Sequence, residues 1–132
     1  CDLSTAGVEY MKVRGNQVLD FFSSVAKENK CYIAFGMGRQ DNEGFWRNSC
    51  VVVDRKGKIA GIYDKNFPTI AEMEAGIKAS DKIAVIECDF GKIGIAICFD
   101  LNFEELLDKY SAADIDIIIY PSMLHGGVLQ SL

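Results

Sequence analysis

Apolar positions along this chain follow two spacings. Over residues 17–27, Val18, Leu19, Phe22, Val25 and Ala26 fall on one face at helical spacing, and Asn29-Lys30 ends the run. Residues 31–37 form a short apolar run that predicts a buried strand, followed by a polar loop over 38–44. Residues 48–54, with three consecutive valines, predict a strand. Arg55-Lys56-Gly57-Lys58 is a tight turn, and 59–63 returns as the second arm of a hairpin. Residues 68–80 are irregular, with a short helix around Glu72. A second hairpin is predicted from 82–88, the turn Asp89-Phe90-Gly91, and 92–97. Residues 103–112 predict a helix with two glutamates in its first turn, where the helix dipole favours them, and with Asp100 or Asn102 as N-cap. Residues 115–120 are continuously apolar, the pattern of a strand buried on both faces. The order α-β-β-β then β-β-α-β predicts an α/β domain, a mixed sheet with helices outside.

Composition narrows the function classes. The 132 residues are 49% hydrophobic and 25% charged, which suits one globular domain. The net charge of −5, with scattered basic residues, argues against nucleic-acid or anionic-membrane partners. No apolar run approaches the roughly 18 residues that span a bilayer, and no signal-peptide pattern opens the chain. The cysteines (Cys1, Cys31, Cys50, Cys88, Cys98) are irregularly spaced without a CxxC, and His125 is the only histidine, so no metal site is expected. This usage fits a reducing, cytoplasmic compartment. The chain opens without Met and stops at Gln130-Ser131-Leu132, so it is expected to be an internal piece of a longer protein.

Candidate chemistry centres on Cys98. The segment Ile93-Gly94-Ile95-Ala96-Ile97-Cys98-Phe99-Asp100-Leu101-Asn102-Phe103-Glu104-Glu105 reads as strand, sharp turn and helix. Unpaired N–H groups and the positive end of a dipole converge at such a turn, and thiolates there are nucleophiles. Equally, a small apolar Cys can simply end a core strand. Lys65, at a strand end, reads as a cationic donor in a cleft or as a solvated loop residue. Glu72 and Glu74 follow it as loop carboxylates, Asp100 reads as a helix cap, and His125 lies in a glycine loop after a strand. Gly36-Met37-Gly38 lacks the third glycine of a dinucleotide loop.

Several segments together resemble the carbon–nitrogen hydrolase (nitrilase) superfamily. Gly94-Ile95-Ala96-Ile97-Cys98-Phe99-Asp100 is similar to its nucleophile motif, and Asn48-Ser49 through Asp54-Arg55-Lys56-Gly57 to its Asn-Ser strand and Asp-x-x-Gly turn. Tyr63-Asp64-Lys65 is similar to the segment bearing its catalytic Lys, and Ile119-Tyr120-Pro121-Ser122 to the strand end after the nucleophile helix. The resemblance implies an α-β-β-α sandwich, incomplete at both ends over residues 1–132, that pairs with a second copy as a homo-oligomer. It implies amide hydrolysis, or less readily nitrile or carbamoyl hydrolysis, through a Cys thioester, with no cofactor and a small-molecule amide or nitrile substrate. Cys98 matches the nucleophile and Lys65 the catalytic Lys. The Phe99 backbone N–H matches a second oxyanion donor. Glu72, or alternatively Glu74, matches a second Glu between Lys and Cys. Phe67, Phe99, Tyr120 and His125 are candidates to line the substrate pocket and equally candidates for core packing.

One element of the pattern is missing. The family's general base is a Glu ending its first strand, and none of Asp2, Glu9, Asp20, Glu28, Asp41 or Glu43 follows an apolar strand in the required way. That strand is expected before Cys1, so the piece alone is expected to be inactive. Two other readings remain open: a catalytically inactive nitrilase-like interaction or assembly subunit, and an unrelated α/β domain with a redox-sensing Cys98.

Overall fold

The computed structural model describes residues 5–123, with side chains from residue 7 onward. The chain starts with helix α1 (Thr5–Asn29) and then forms three antiparallel strands, β1 (Ile33–Gln40), β2 (Trp46–Val53) and β3 (Ile59–Asp64), in spatial order β1-β2-β3. A short helix, α2 (Ile70–Glu74), leads to β4 (Ile86–Cys88) and β5 (Gly91–Ile95). A 3-10 turn at Cys98–Asn102, helix α3 (Glu104–Ala112) and β6 (Ile117–Ile119) follow. The second sheet has order β4-β5-β6, antiparallel at the hairpin and parallel between β5 and β6. The residue pattern alone predicts one mixed sheet; the structure has two, in agreement with the α-β-β-α sandwich that the resemblance implies.

Alternation along the strands fixes four layers. Val51 and Val53 of β2 face α1, packing with Phe35, Ala26, Leu19 and Phe22. Cys50 and Val52 face the opposite way, with Tyr63, against Ile86, Ile93, Ile95 and Ile97 of the second sheet. On the far side of that sheet, Ala96 packs under Leu106 and Tyr110 of α3. The order is therefore helix, sheet, sheet, helix, since each strand points successive side chains to opposite faces. Two glycines permit the close approaches. A Cβ on Gly61 would meet Ile86 Cγ1 at 2.5 Å, and one on Gly94 would meet Ile115 Cδ1 at 2.6 Å and Tyr110 Cε1 at 2.7 Å.

Several predicted elements are corrected. Helix α1 begins at Thr5, well before residue 17. Its first turns are read poorly because their contact face contains a glycine: Gly15 is buried, and a Cβ there would lie 2.9 Å from Met37 Cε. β1 runs on to Gln40, and Ala34 and Gly36 are exposed, so it is an edge strand rather than a buried one. Asp41 therefore does follow a strand, but its carboxylate is held by Arg47 Nε at 2.7 Å and by the Glu43 and Phe45 N–H groups.

The predicted strand over 82–88 is real only from Ile86. Continuing the register that pairs Ile86 with Ile93 would set Ala84 opposite Ile95. The Tyr110 hydroxyl occupies that place: it donates to Ile95 O at 2.5 Å and accepts from the N–H groups of Ile95 (3.0 Å) and Ala84 (3.4 Å). Neither Asp100 nor Asn102 caps α3; its N-cap is Phe103, without a side-chain bond. β6 is not buried on both faces in this chain, since Ile117 is 45% and Ile118 38% exposed. Among the described residues, no helix is long and apolar enough to cross a membrane, and no group of three or more His, Cys, Asp or Glu could hold a metal ion.

Candidate active site

Two chain segments converge on one cavity. The first is the exit of β3. Asp64 at the strand end accepts both bonds from Arg39 Nη2 (2.9 and 2.7 Å) and one from Ser49 Oγ at 2.5 Å. Lys65 then donates its N–H to Asn48 O at 2.8 Å, and its carbonyl accepts from the Ser80 N–H at 3.1 Å. With its backbone held on both sides, the Lys65 side chain is 97% buried, an unusual state for an ammonium without a charged partner.

The partner is Glu72. Its Oε2 accepts from Lys65 Nζ at 2.7 Å and from the Thr69 N–H at 2.7 Å, while Oε1 accepts from Asn48 Nδ2 at 2.6 Å. Thr69 Oγ1 in turn accepts from the Glu72 N–H at 3.3 Å, closing a capping box that starts α2. Burial alone would raise the Glu72 pKa. The Lys65 ammonium, the Thr69 amide and the Asn48 amide outweigh it and lower the value to about 2. Glu74, the alternative, is exposed at the end of α2. The sequence held a usable signal for this choice, Thr69-x-x-Glu72, which the pattern reading did not exploit.

The second segment is the turn after β5. Cys98 has φ of +47°, a region costly for a residue with a Cβ. Its surroundings hold it there. The Cys98 N–H donates to Pro121 O at 3.0 Å, and its carbonyl accepts from Tyr120 Oη at 2.9 Å. Cys98 and Lys65 line one cavity of about 380 Å³ together with Asn48, Thr69, Glu72, Ile97, Pro121, Ser122 and Met123. Glu72 is the only carboxylate among those described lining residues.

The remaining candidates separate. Phe67 stacks on Phe103 (centroids 3.9 Å, 11°) and lines a neighbouring apolar pocket with Phe99, Ile70 and Met73, not the Cys98 cavity. Aromatic stacking against α3 accounts for that placement. Tyr120 is outside the described cavity lining and acts on the Cys98 carbonyl instead. The Phe99 side chain is 41% exposed at the start of the 3-10 turn. His125 lies outside the described residues. Asn48, Thr69, Ser122 and Met123 were not singled out from the sequence as site residues.

Asp100 has a different place from the helix cap expected. It is fully buried, and its Oδ2 accepts from Tyr63 Oη (2.8 Å) and the Ile97 N–H (2.8 Å), its Oδ1 from the Phe67 N–H (2.8 Å). Burial, and then the neighbouring Asp100 charge, push the Tyr63 hydroxyl pKa far above its ordinary value.

A family model described as carbon-nitrogen hydrolase matches residues 5–131. Among curated proteins, omega-amidase NIT2 of Xenopus tropicalis is 26% identical over 121 residues, 86% of this chain and 44% of that protein. The chain thus spans less than half the length of that relative. Among solved structures, a carbon-nitrogen hydrolase from Helicobacter pylori G27 superposes with a TM-score of 0.80 at 23% identity, covering 90% of this chain and 41% of that one. An amidase variant from Nesterenkonia sp. AN1 superposes with a TM-score of 0.78 at 14% identity, covering 88% of this chain and 44% of that one. It carries the acetamide moiety of fluoroacetamide covalently added at its active site cysteine. These likenesses establish a shared fold.

Proposed function

Since this chain belongs to the carbon-nitrogen hydrolase family, we propose that its complete protein hydrolyses a small amide through a Cys98 thioester. The observation that carries this reading is the convergence of Cys98 with the buried Lys65–Glu72 pair on one cavity. The sulfur of Cys98 attacks the amide carbon, forming the C–S bond and placing negative charge on the carbonyl oxygen. The Lys65 ammonium and the Phe99 N–H are the donors proposed for that oxyanion, and one such donor is worth a factor of about 100 to 1,000 in kcat. The C–N bond then breaks, and the amine leaves with the proton taken from the thiol. Water attacks the thioester, releases the acid and returns the proton to sulfur. The base that carries these protons is, by the resemblance, a Glu on a strand preceding this segment. Glu72 holds Lys65 in place beside the cavity.

Omega-amidase and amidase relatives support an amide as the substrate class. The test is ammonia release from a panel of small amides by the complete protein, with mass spectrometry of the Cys98 peptide after acid quenching. An acyl adduct on Cys98 and loss of turnover in Cys98→Ala are expected. Undiminished turnover in a verified Cys98→Ala protein refutes the reading.

A further inference from the structure

Asp100 is not among the described lining residues of the cavity, yet its two oxygens join both catalytic segments. On one side it accepts from the Ile97 N–H, directly before Cys98. On the other it accepts from the Phe67 N–H, two residues after Lys65, and from the hydroxyl of Tyr63, two residues before it. Tyr63 Oη also accepts from the Asn66 N–H at 3.2 Å, adding a second tie to the same loop. Four of these residues lie in the interior, Asp100 at 0%, Tyr63 at 1%, Asn66 at 6% and Ile97 at 7% exposure, and Phe67 is partly buried. A buried carboxylate with three donors is a rigid fixture, because losing any donor leaves a polar atom without water to replace it.

We infer that Asp100, with Tyr63, is a positioning unit that sets the separation of Lys65 from Cys98 and holds the Cys98 turn in its positive-φ conformation. The inference rests on the reading of Cys98 and Lys65 given above. Cys98 at φ +47° is a conformation the chain avoids unless neighbours over-determine it. The Asp100–Ile97 bond sits at the entrance to that residue, and the Tyr120 and Pro121 bonds act on Cys98 itself. Misplacing reacting groups by about 1 Å can cost on the order of 100-fold in rate.

The test uses Tyr63→Phe and Asp100→Asn in the complete protein. Tyr63→Phe keeps the ring and removes one donor. In Asp100→Asn, the amide N–H₂ faces one of the three donors in one orientation and two in the other. Three readouts are taken on samples shown to be folded: kcat and KM separately, and the rate of Cys98 alkylation by iodoacetamide, read on its peptide by mass spectrometry. The expected result is a kcat lowered about 10-fold in Tyr63→Phe and about 100-fold in Asp100→Asn. KM should stay within about twofold, and alkylation of Cys98 should change relative to the other cysteines. Wild-type kcat and alkylation in folded Tyr63→Phe overturn the inference, and so does a loss that merely tracks the unfolded fraction. Turnover by Cys98→Ala would instead refute the nucleophile assignment, and this inference with it.

Discussion

One oxygen of Glu72 serves both Lys65 and its own helix: Oε2 accepts from Lys65 Nζ at 2.7 Å and from the Thr69 N–H at 2.7 Å. The carboxylate that neutralises the buried ammonium is thus held by the start of α2, and the Asn48 amide holds its other oxygen. Helix and cation are coupled through one side chain.

That coupling has a pH signature. The Glu72 pKa is about 2 in the folded chain against an ordinary 4.5, so the carboxylate is stabilised by folding. Its contribution is fully present above about pH 4.5 and is lost as pH falls toward 2. Melting temperature should therefore drop through that window, and Glu72→Gln should drop less steeply there. Parallel slopes for the two proteins in an acid titration of thermal melting would contradict this.

Lys65→Met keeps the length of the side chain and removes the charge. Because Thr69 and Asn48 still bond Glu72, α2 is expected to persist, as judged by circular dichroism. Turnover in the complete protein should fall by a factor of about 100 to 1,000, the usual cost of one oxyanion donor. A kcat within about twofold of wild type would show that Lys65 does not contact the reacting oxygen.

Tyr110→Phe tests the break in the second sheet. The hydroxyl satisfies both polar groups of Ile95 and the Ala84 N–H in the interior. Removing it should destabilise the fold by about 1–3 kcal/mol, measured by urea unfolding. A change below a few tenths of that range would mean that β4 can extend to Ala84 and satisfy Ile95 directly.

Gly94→Ala probes the fit between β5 and α3. The added methyl would meet Ile115 Cδ1 at 2.6 Å and Tyr110 Cε1 at 2.7 Å, and Gly94 itself is buried. A loss of about 1–3 kcal/mol is expected, again from urea melts.

By itself the sequence determined the local order of this protein. The three valines of β2, the Asp54 turn and the return strand were legible because alternation and turn chemistry act over a few residues. Asp54 Oδ1 does accept from the Lys56 and Lys58 N–H groups, with Gly57 at φ +75°. Cys98 and Lys65 were legible as candidates because their segments resemble a known family. What the tertiary structure decided is whatever depends on contacts between distant segments. The first half of α1 forms against β1, where a glycine lets the surfaces meet, so periodicity alone understates it. β4 stops at Ile86 because a tyrosine from α3 takes its place in the ladder. That Glu72 rather than Glu74 pairs with Lys65 follows from which carboxylate α2 turns toward the lysine just past β3. Asp100, which reads locally as a cap, is instead claimed by Tyr63, Ile97 and Phe67, because three donors hold a carboxylate more firmly than one exposed helix end.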